Sequence, residues 1–155
     1  MKRRTVTLVV LAAAAGCSTG SAPEATTGEP VETRTVAEAT RQAGHDATMV
    51  AASLGGPLSG WKTLTVACTN ASRLQGAANI TVAAADQVAA LSRLAAAWRR
   101  QGWEITDEQT FADGTRGTVS AYNVTTGTSI TVTTTKDLGR VAMVLVGACH
   151  LPAPG

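Results

Sequence analysis

The chain has 155 residues, which is room for one domain of ordinary size and not for two. Its formal net charge is +2, but three of its thirteen Lys and Arg residues stand at positions 2–4, in a segment with the pattern of a removable leader. Without them, ten basic residues face eleven acidic ones, a charge of −1. This balance excludes the basic footprint that nucleic-acid binding requires.

The first sixteen residues have the pattern of a secretion signal. Basic residues at positions 2–4 precede an apolar run over 5–15, which is too short to span a bilayer as a mature helix. Such a leader is cleaved during export. The sequence therefore predicts a signal peptide over 1–16 and a mature protein that works outside the cytoplasm.

The end of this leader carries a lipidation motif. Ala15 and Gly16 are small residues that precede Cys17, and Ala14 stands one position before them. The segment resembles the lipobox of bacterial lipoproteins, in which Leu is commonest at the position of Ala14. The resemblance implies that Cys17 receives diacylglycerol and anchors the chain to the membrane. Arg outnumbers Lys ten to three, a bias typical of a GC-rich genome such as that of an actinobacterium.

The three cysteines of the chain are an odd number, which needs an explanation in an exported protein. Lipidation of Cys17 leaves Cys68 and Cys149 to form a disulfide in an oxidising compartment. The alternative is cleavage after the small residues at 13–15, which would leave Cys17 as a free thiol. We favour the lipidated form because it accounts for all three sulfurs.

The residues after the anchor divide into a tether and a domain. Residues 17–30 are rich in Ser, Thr, Gly and Pro and contain no large apolar side chain. They therefore cannot bury enough surface to fold. The sequence predicts that 17–30 is a disordered tether and that 31–151 is a single domain.

The first half of the domain reads as one helix and two strands. Apolar residues recur at helical spacing over 31–54, and the Gly-Gly-Pro that follows ends the helix. Alternating patterns predict strands over 61–69 and 77–85. In the first strand Cys68 shares a parity with Leu64, which predicts that both point into the core.

The second half reads as one strong helix and four strands. Asp86 is a suitable N-cap, and Gly102 is a suitable left-handed residue after the helix end. A short strand begins at Trp103, and further strands are predicted over 118–125, 128–135 and 140–149. The last strand is apolar on both faces, which is typical of a central strand, and its alternation places Cys149 on the core side.

These elements predict an α+β fold. Their order is α-β-β-α-β-β-β-β, and runs of strands separated by helices favour an antiparallel sheet of about five to six strands with two helices packed on one face.

Catalytic patterns are weak throughout the chain. His45 and His150 are its only histidines. A Ser-His-Asp catalytic set could use Ser120 or Ser129, but neither serine lies in a Gly-x-Ser-x-Gly motif, which would support such a set. Ordinary surface histidines are the favoured interpretation. Two histidines without the usual ligand spacing predict no metal site, and no cofactor is predicted.

Four acidic residues cluster in the sequence after the second helix. Glu104, Asp107, Glu108 and Asp113 could form a carboxylate pair or a calcium site, but their spacing fits no EF-hand loop. On a regular strand Glu104 and Asp107 face opposite ways. A solvated acidic strand and turn is therefore the favoured interpretation.

The candidate ligand surface consists of aromatic and threonine side chains. Two indoles stand at the starts of elements, where they could stack on a sugar or a partner, and threonines line one face of a strand. Core packing and the wet face of a half-buried sheet are the ordinary explanations for both. The candidates are Trp61, Trp103, Tyr122, Thr131 and Thr133.

The sequence predicts a small membrane-anchored extracytoplasmic lipoprotein that is not an enzyme. Its expected role is a binding or accessory module of the cell envelope, with an envelope protein or a glycan as its partner. The alternatives are an envelope hydrolase with an unrecognised site and a structural spacer.

Overall fold

The computed structural model describes residues 31–32, 34–69, 71–82, 87–137 and 139–150. The predicted signal peptide, the lipidation site Cys17 and the predicted tether lie outside these residues. The predicted N-cap Asp86 also lies outside them.

Two helices and one sheet make up the described chain. The prediction of an α+β fold with this order of helices and strands is confirmed, and a two-residue strand, β1, is added before the first helix. The elements in chain order are β1 Val31–Glu32, α1 Val36–Leu54, β2 Leu58–Cys68, β3 Ala71–Thr81, α2 Gln87–Arg100, β4 Glu104–Thr110, β5 Gly117–Asn123, β6 Thr128–Thr134 and β7 Arg140–His150.

The six long strands form one antiparallel sheet in the order β2-β3-β7-β6-β5-β4. The strand that is apolar on both faces, β7, lies inside the sheet as the sequence predicts, and its neighbours are β3 and β6. β1 pairs with the end of β7 in parallel, joining Val31 to Cys149. The chain therefore enters the domain beside the carboxyl end of β7.

Helix α1 begins at Val36 rather than at residue 31 because a capping box fixes its start. The Thr35 hydroxyl accepts a hydrogen bond from the Glu38 amide, and the Glu38 carboxylate accepts one from the Thr35 amide at 2.8 Å. Gly55, with a φ of 77°, ends the helix in the left-handed conformation.

Helix α2 ends as the sequence predicts. Gly102 has a φ of 79°, and the Trp103 amide donates to the Trp98 carbonyl at 3.0 Å. This reversal places the Trp103 ring parallel to the Trp98 ring, with centroids 5.6 Å apart.

The core lies between the two helices and one face of the sheet. Each helix contributes a buried stripe, and the strands contribute alternate side chains, of which Ile80, Ile130 and Leu145 are fully buried. Because both helices pack on this face, the other face of the sheet has no described element over it. This two-layer arrangement leaves one face of the sheet uncovered by any described element, and the candidate site lies on that face.

Candidate functional site

The face of the sheet turned away from the helices, here called the open face, carries two exposed large apolar side chains. Leu64 is 57% exposed and Val144 is 48% exposed. In β3 the residue paired with Leu64 is Gln75, whose chain neighbour Leu74 is buried under the helices, and in β7 Val144 stands between the buried Met143 and Leu145. Leu64 and Val144 therefore point to the side away from the helices. The open face is therefore partly apolar at positions where a solvated sheet usually carries polar residues.

The strand register arranges the open face in rows that cross all six long strands. Directly paired residues of antiparallel strands share a face, so a row can be followed from one edge to the other. The central row consists of Lys62, Ala77, Val144, Thr131, Ser120 and Asp107. The row on the side of the chain's entry consists of Leu64, Gln75, Val146, Ser129, Tyr122 and Glu104.

The hydroxyl groups of β5 and β6 bind one another. The Ser120 and Thr131 hydroxyl oxygens are 2.8 Å apart, and those of Thr118 and Thr133 are 2.9 Å apart. Each pair satisfies a donor and an acceptor without water, so covering it with another surface costs less than covering free hydroxyls. This feature depends on register and is not visible in the sequence.

The structure gathers three of the five predicted ligand-surface residues. Tyr122, Thr131 and Thr133 all lie on the open face. Trp61 and Trp103 do not join them, because both pack against the helix-side core.

The indole ring of Trp61 has room in its position because the residue beneath it is a glycine. Its ring covers Gly76, where an added Cβ would lie 2.3 Å from the indole. A bulge between Ser59 and Lys62 turns Trp61 toward the helices.

A depression of about 160 Å³ lies on the open face near the chain's entry. Its walls include Arg73 and Tyr122, and Ser129 and Val146 contribute to its lining. An aromatic ring, a hydroxyl and a guanidinium thus meet at one end of the open face.

The predicted disulfide is present. Cys68 and Cys149 are bonded, with their Cα atoms 6.3 Å apart, and they join the ends of β2 and β7, the two strands that flank β3. A disulfide is compatible with an extracytoplasmic location.

Cys149 is buried as the sequence predicts, at 3% exposed, but both cysteines lie on the other face of the sheet from the one predicted. Cys68 shares its face with Leu64, and Leu64 pairs with Gln75 on the open face. In β7 a register shift intervenes between Val146 and Cys149, which reverses the face that simple alternation predicts. The bond therefore lies on the open-face side.

The two histidines lie in different surroundings, His45 in the middle of α1 and His150 at the end of β7. His150 is 2% exposed, and its Nδ1 lies 3.1 Å from the Arg34 carbonyl oxygen, a structural contact. His45 is exposed on α1, and its Nδ1 lies 3.7 Å from a carboxylate oxygen of Asp46.

Asp46 is the buried carboxylate of this region. It is 5% exposed, and its Oδ1 accepts a hydrogen bond from Gln42 Nε2 at 2.8 Å, while its Oδ2 has no hydrogen-bond partner among the described residues. Burial raises the pKa of the Asp46 carboxyl, and the hydrogen bond from Gln42 and the neighbouring His45 oppose this effect. His45 and Gln42 also line an open hollow of about 410 Å³ on the surface of α1.

The serine candidates do not join these histidines. Ser120 is bonded to Thr131 on the open face, and Ser129 lies in the next row of the same face. His150 lines a small hollow on the helix side of the sheet.

The acidic residues are separated by the fold. Glu108 forms an ion pair with Arg99 of α2, and Asp113 forms one with Arg116 at 2.7 Å. The hydrogen bond from Arg116 and that from the Thr115 amide hold the pKa of the Asp113 carboxyl below its usual value. Within the described ranges, no three His, Cys, Asp or Glu side chains are grouped so that they could hold a metal ion.

The prediction that Glu104 and Asp107 face opposite ways is wrong. Glu104 pairs with Tyr122 and Asp107 pairs with Ser120, so both lie on the open face. The register shift between Ile105 and Asp107 adds one residue to β4, and the added residue restores the same face. The two carboxylates therefore border the open face along its β4 edge.

Comparison with known protein families, characterised proteins and solved structures gives no match. Among the described residues, neither helix is both long enough and apolar enough to cross a bilayer.

Proposed function

We propose that this protein is a lipid-anchored extracytoplasmic module that is not an enzyme and that binds a component of the cell envelope through the open face. The observation that carries the proposal is the pair of exposed apolar side chains, Leu64 and Val144, on the uncovered side of the sheet. The exposed Ala77 of β3, which is paired with Val144, lies between them, and a contiguous apolar patch rimmed by polar residues is typical of an interaction surface.

The hydroxyl pairs support this proposal. Binding at a sheet face removes water from the polar groups that lie between the apolar contacts. The hydroxyls of Ser120 and Thr131 already share one hydrogen bond, so their desolvation opposes binding less than that of free hydroxyls.

The location in the proposal is supported by two observations of different kinds. The Cys68–Cys149 disulfide is compatible with an oxidising compartment. The lipobox-like end of the leader supports Cys17 as the attachment point. If Cys17 carries the lipid, Cys17→Ser should no longer incorporate a labelled fatty acid. Incorporation that persists in Cys17→Ser would contradict the assignment of Cys17.

Site-specific photocrosslinking tests the binding face. A photoreactive amino acid at position 144 of the full chain should give adducts in native membranes. The same amino acid at position 92, which is exposed on α2, should give few. Equal labelling at the two positions, or no adduct at position 144, would refute the open face as the binding surface.

The rival function is an envelope hydrolase, and the observation that favours it is the exposed His45 beside the buried Asp46. Activity profiling of the wild-type protein and of His45→Ala separates the two functions. A turnover signal that His45→Ala abolishes would replace the binding proposal, whereas unchanged profiles agree with it.

A further inference from the structure

We infer that the partner of the open face is the open face of a second copy of this chain, related by a twofold axis that runs parallel to the strands between β6 and β7. The inference deepens the proposed function and rests on it, because it names the occupant of the same surface. Its first support is the distribution of charge along the central row.

The central row carries opposite charges at its two ends. Lys62 lies on β2 at one edge of the sheet, and Asp107 lies on β4 at the other edge. The four residues between them are uncharged, and the centre of the row falls between Val144 of β7 and Thr131 of β6.

A twofold axis parallel to the strands matches these charges. Such a rotation exchanges the two edges of the sheet and keeps each row at its own height. Lys62 of each copy then faces Asp107 of the other, and Val144 faces Thr131 of the other. Stacked sheets lie about 10 Å apart, a gap that extended lysine and aspartate side chains span together.

The alternative twofold axis does not match them. An axis along the central row, perpendicular to the strands, would place Lys62 over Lys62 and Asp107 over Asp107. Facing like charges opposes association. The charges of this one row therefore select one of the two face-to-face arrangements.

The position at which the chain enters the domain selects the same axis independently. Val31 pairs with Cys149 at the carboxyl end of β7, so the segment that leads to the proposed anchor leaves the domain at one end of the strands. Rotation about an axis parallel to the strands leaves both entry points at the same end of the dimer. Both anchors can then insert into one membrane, whereas the other axis places them at opposite ends.

The size of the open face suits a specific dimer. Six strands about 4.8 Å apart, the shortest of them seven residues long, give a face of about 29 Å by 24 Å, or about 700 Å² per copy. Two such faces bury about 1,400 Å², which lies within the range of about 1,200–2,000 Å² for specific interfaces.

A charge exchange tests the inference in solution. Every described helix and strand lies between Val31 and His150, so a chain that begins at Ser18 keeps the whole described fold. Sedimentation equilibrium of this chain should show a dimer. Lys62→Glu and Asp107→Lys should each raise the dissociation constant at least about tenfold, and the double variant should restore dimerisation because it reverses each facing pair.

Arg93→Glu is the matched control. It makes the same change of charge as Lys62→Glu, at an exposed position on α2 away from the open face, and should leave the dimer unchanged. Circular dichroism and thermal unfolding of each variant show that its fold is retained. A variant that unfolds is replaced by Lys62→Gln and Asp107→Asn, which should weaken the dimer less.

Carbodiimide cross-linking tests the contact in membranes that contain the full lipidated chain. This reagent joins a lysine amine to a carboxylate in direct contact. Within one copy Lys62 and Asp107 are separated by five strand spacings, about 24 Å, so a joined 62–107 peptide must link two copies. Mixed isotope labelling should show peptides that combine the two labels.

Three outcomes would overturn the inference. They are a monomer in solution with no 62–107 peptide in membranes, a dimer that neither charge variant weakens, and charge variants that the double variant does not rescue. A dimer that forms only after residues 18–30 or 151–155 are removed would assign the open face to the chain's own segments and would overturn it too. Adducts at position 144 that contain another protein would refute self-association while supporting the proposed binding function.

Discussion

Removal of the disulfide has an effect on stability that can be worked out from its position. The bond joins Cys68 to Cys149 across a sequence separation of 81 residues and ties the edge strand β2 to the central strand β7. In the chain-entropy model, a closed loop of this length stabilises the folded protein by about 4.5 kcal/mol. Domains of this size are stable by about 5–15 kcal/mol in all, so Cys68→Ala/Cys149→Ala should lose much of its stability.

Urea unfolding followed by tryptophan fluorescence measures this loss. With a slope of about 2 kcal/mol per molar urea, the midpoint should fall by about 2 M. The comparison uses the chain from Ser18, which lacks the third cysteine, and the wild-type protein with dithiothreitol should unfold like the double variant. A loss below about 1 kcal/mol would refute the reasoning, because it would mean that the bond does not restrict the unfolded chain as the model requires.

Three further predictions concern single side chains. Burial places the folded-state pKa of Asp46 above its unfolded value of 3.8, so wild-type stability should fall as pH rises from 3.8 through the folded pKa. Asp46→Asn carries no charge and should therefore gain stability relative to wild type over this rise in pH, as measured by urea unfolding. Gly76→Val should lower the thermal midpoint and expose the Trp61 fluorescence to quencher, because a Cβ there would lie 2.3 Å from the indole, and overpacking costs about 1–3 kcal/mol. Trp98→Ala should cost about 3–5 kcal/mol, since this ring is 2% exposed, whereas Trp103→Ala should cost clearly less; equal losses in urea unfolding would contradict the assignment of Trp98 to the core.

The elements of the fold could be predicted because their patterns are local. The apolar side chains of α2 repeat at helical spacing. Gly102, which suits the left-handed conformation that ends a helix, follows them. The two apolar parities of β7 likewise identified the central strand. Such signals need no knowledge of distant contacts.

The faces to which the strand side chains point were predicted less reliably than the elements, because bulges interrupt the alternation of the strands. Each register shift moves the following side chains to the other face, and it depends on the partner strand rather than on the local sequence. This is why the expectations for Cys149 and for Glu104 relative to Asp107 were wrong. The row from Lys62 to Asp107 was hidden for the same reason, because a bulge lies near each of its ends.

The threonine-rich strands have two physical explanations, and the exposed Val144 separates them. On a sheet face that only meets water, the hydrogen bond between Ser120 and Thr131 adds about 0.2–1 kcal/mol of stability, but exposing Val144 in the same row adds none. A face that is covered by a second sheet also gains from Val144, because its apolar groups lose water on contact. Val144→Thr therefore separates the two explanations: on a wet face it should leave the protein unchanged, whereas in the dimer it should weaken association measured by sedimentation without lowering the stability of the monomer.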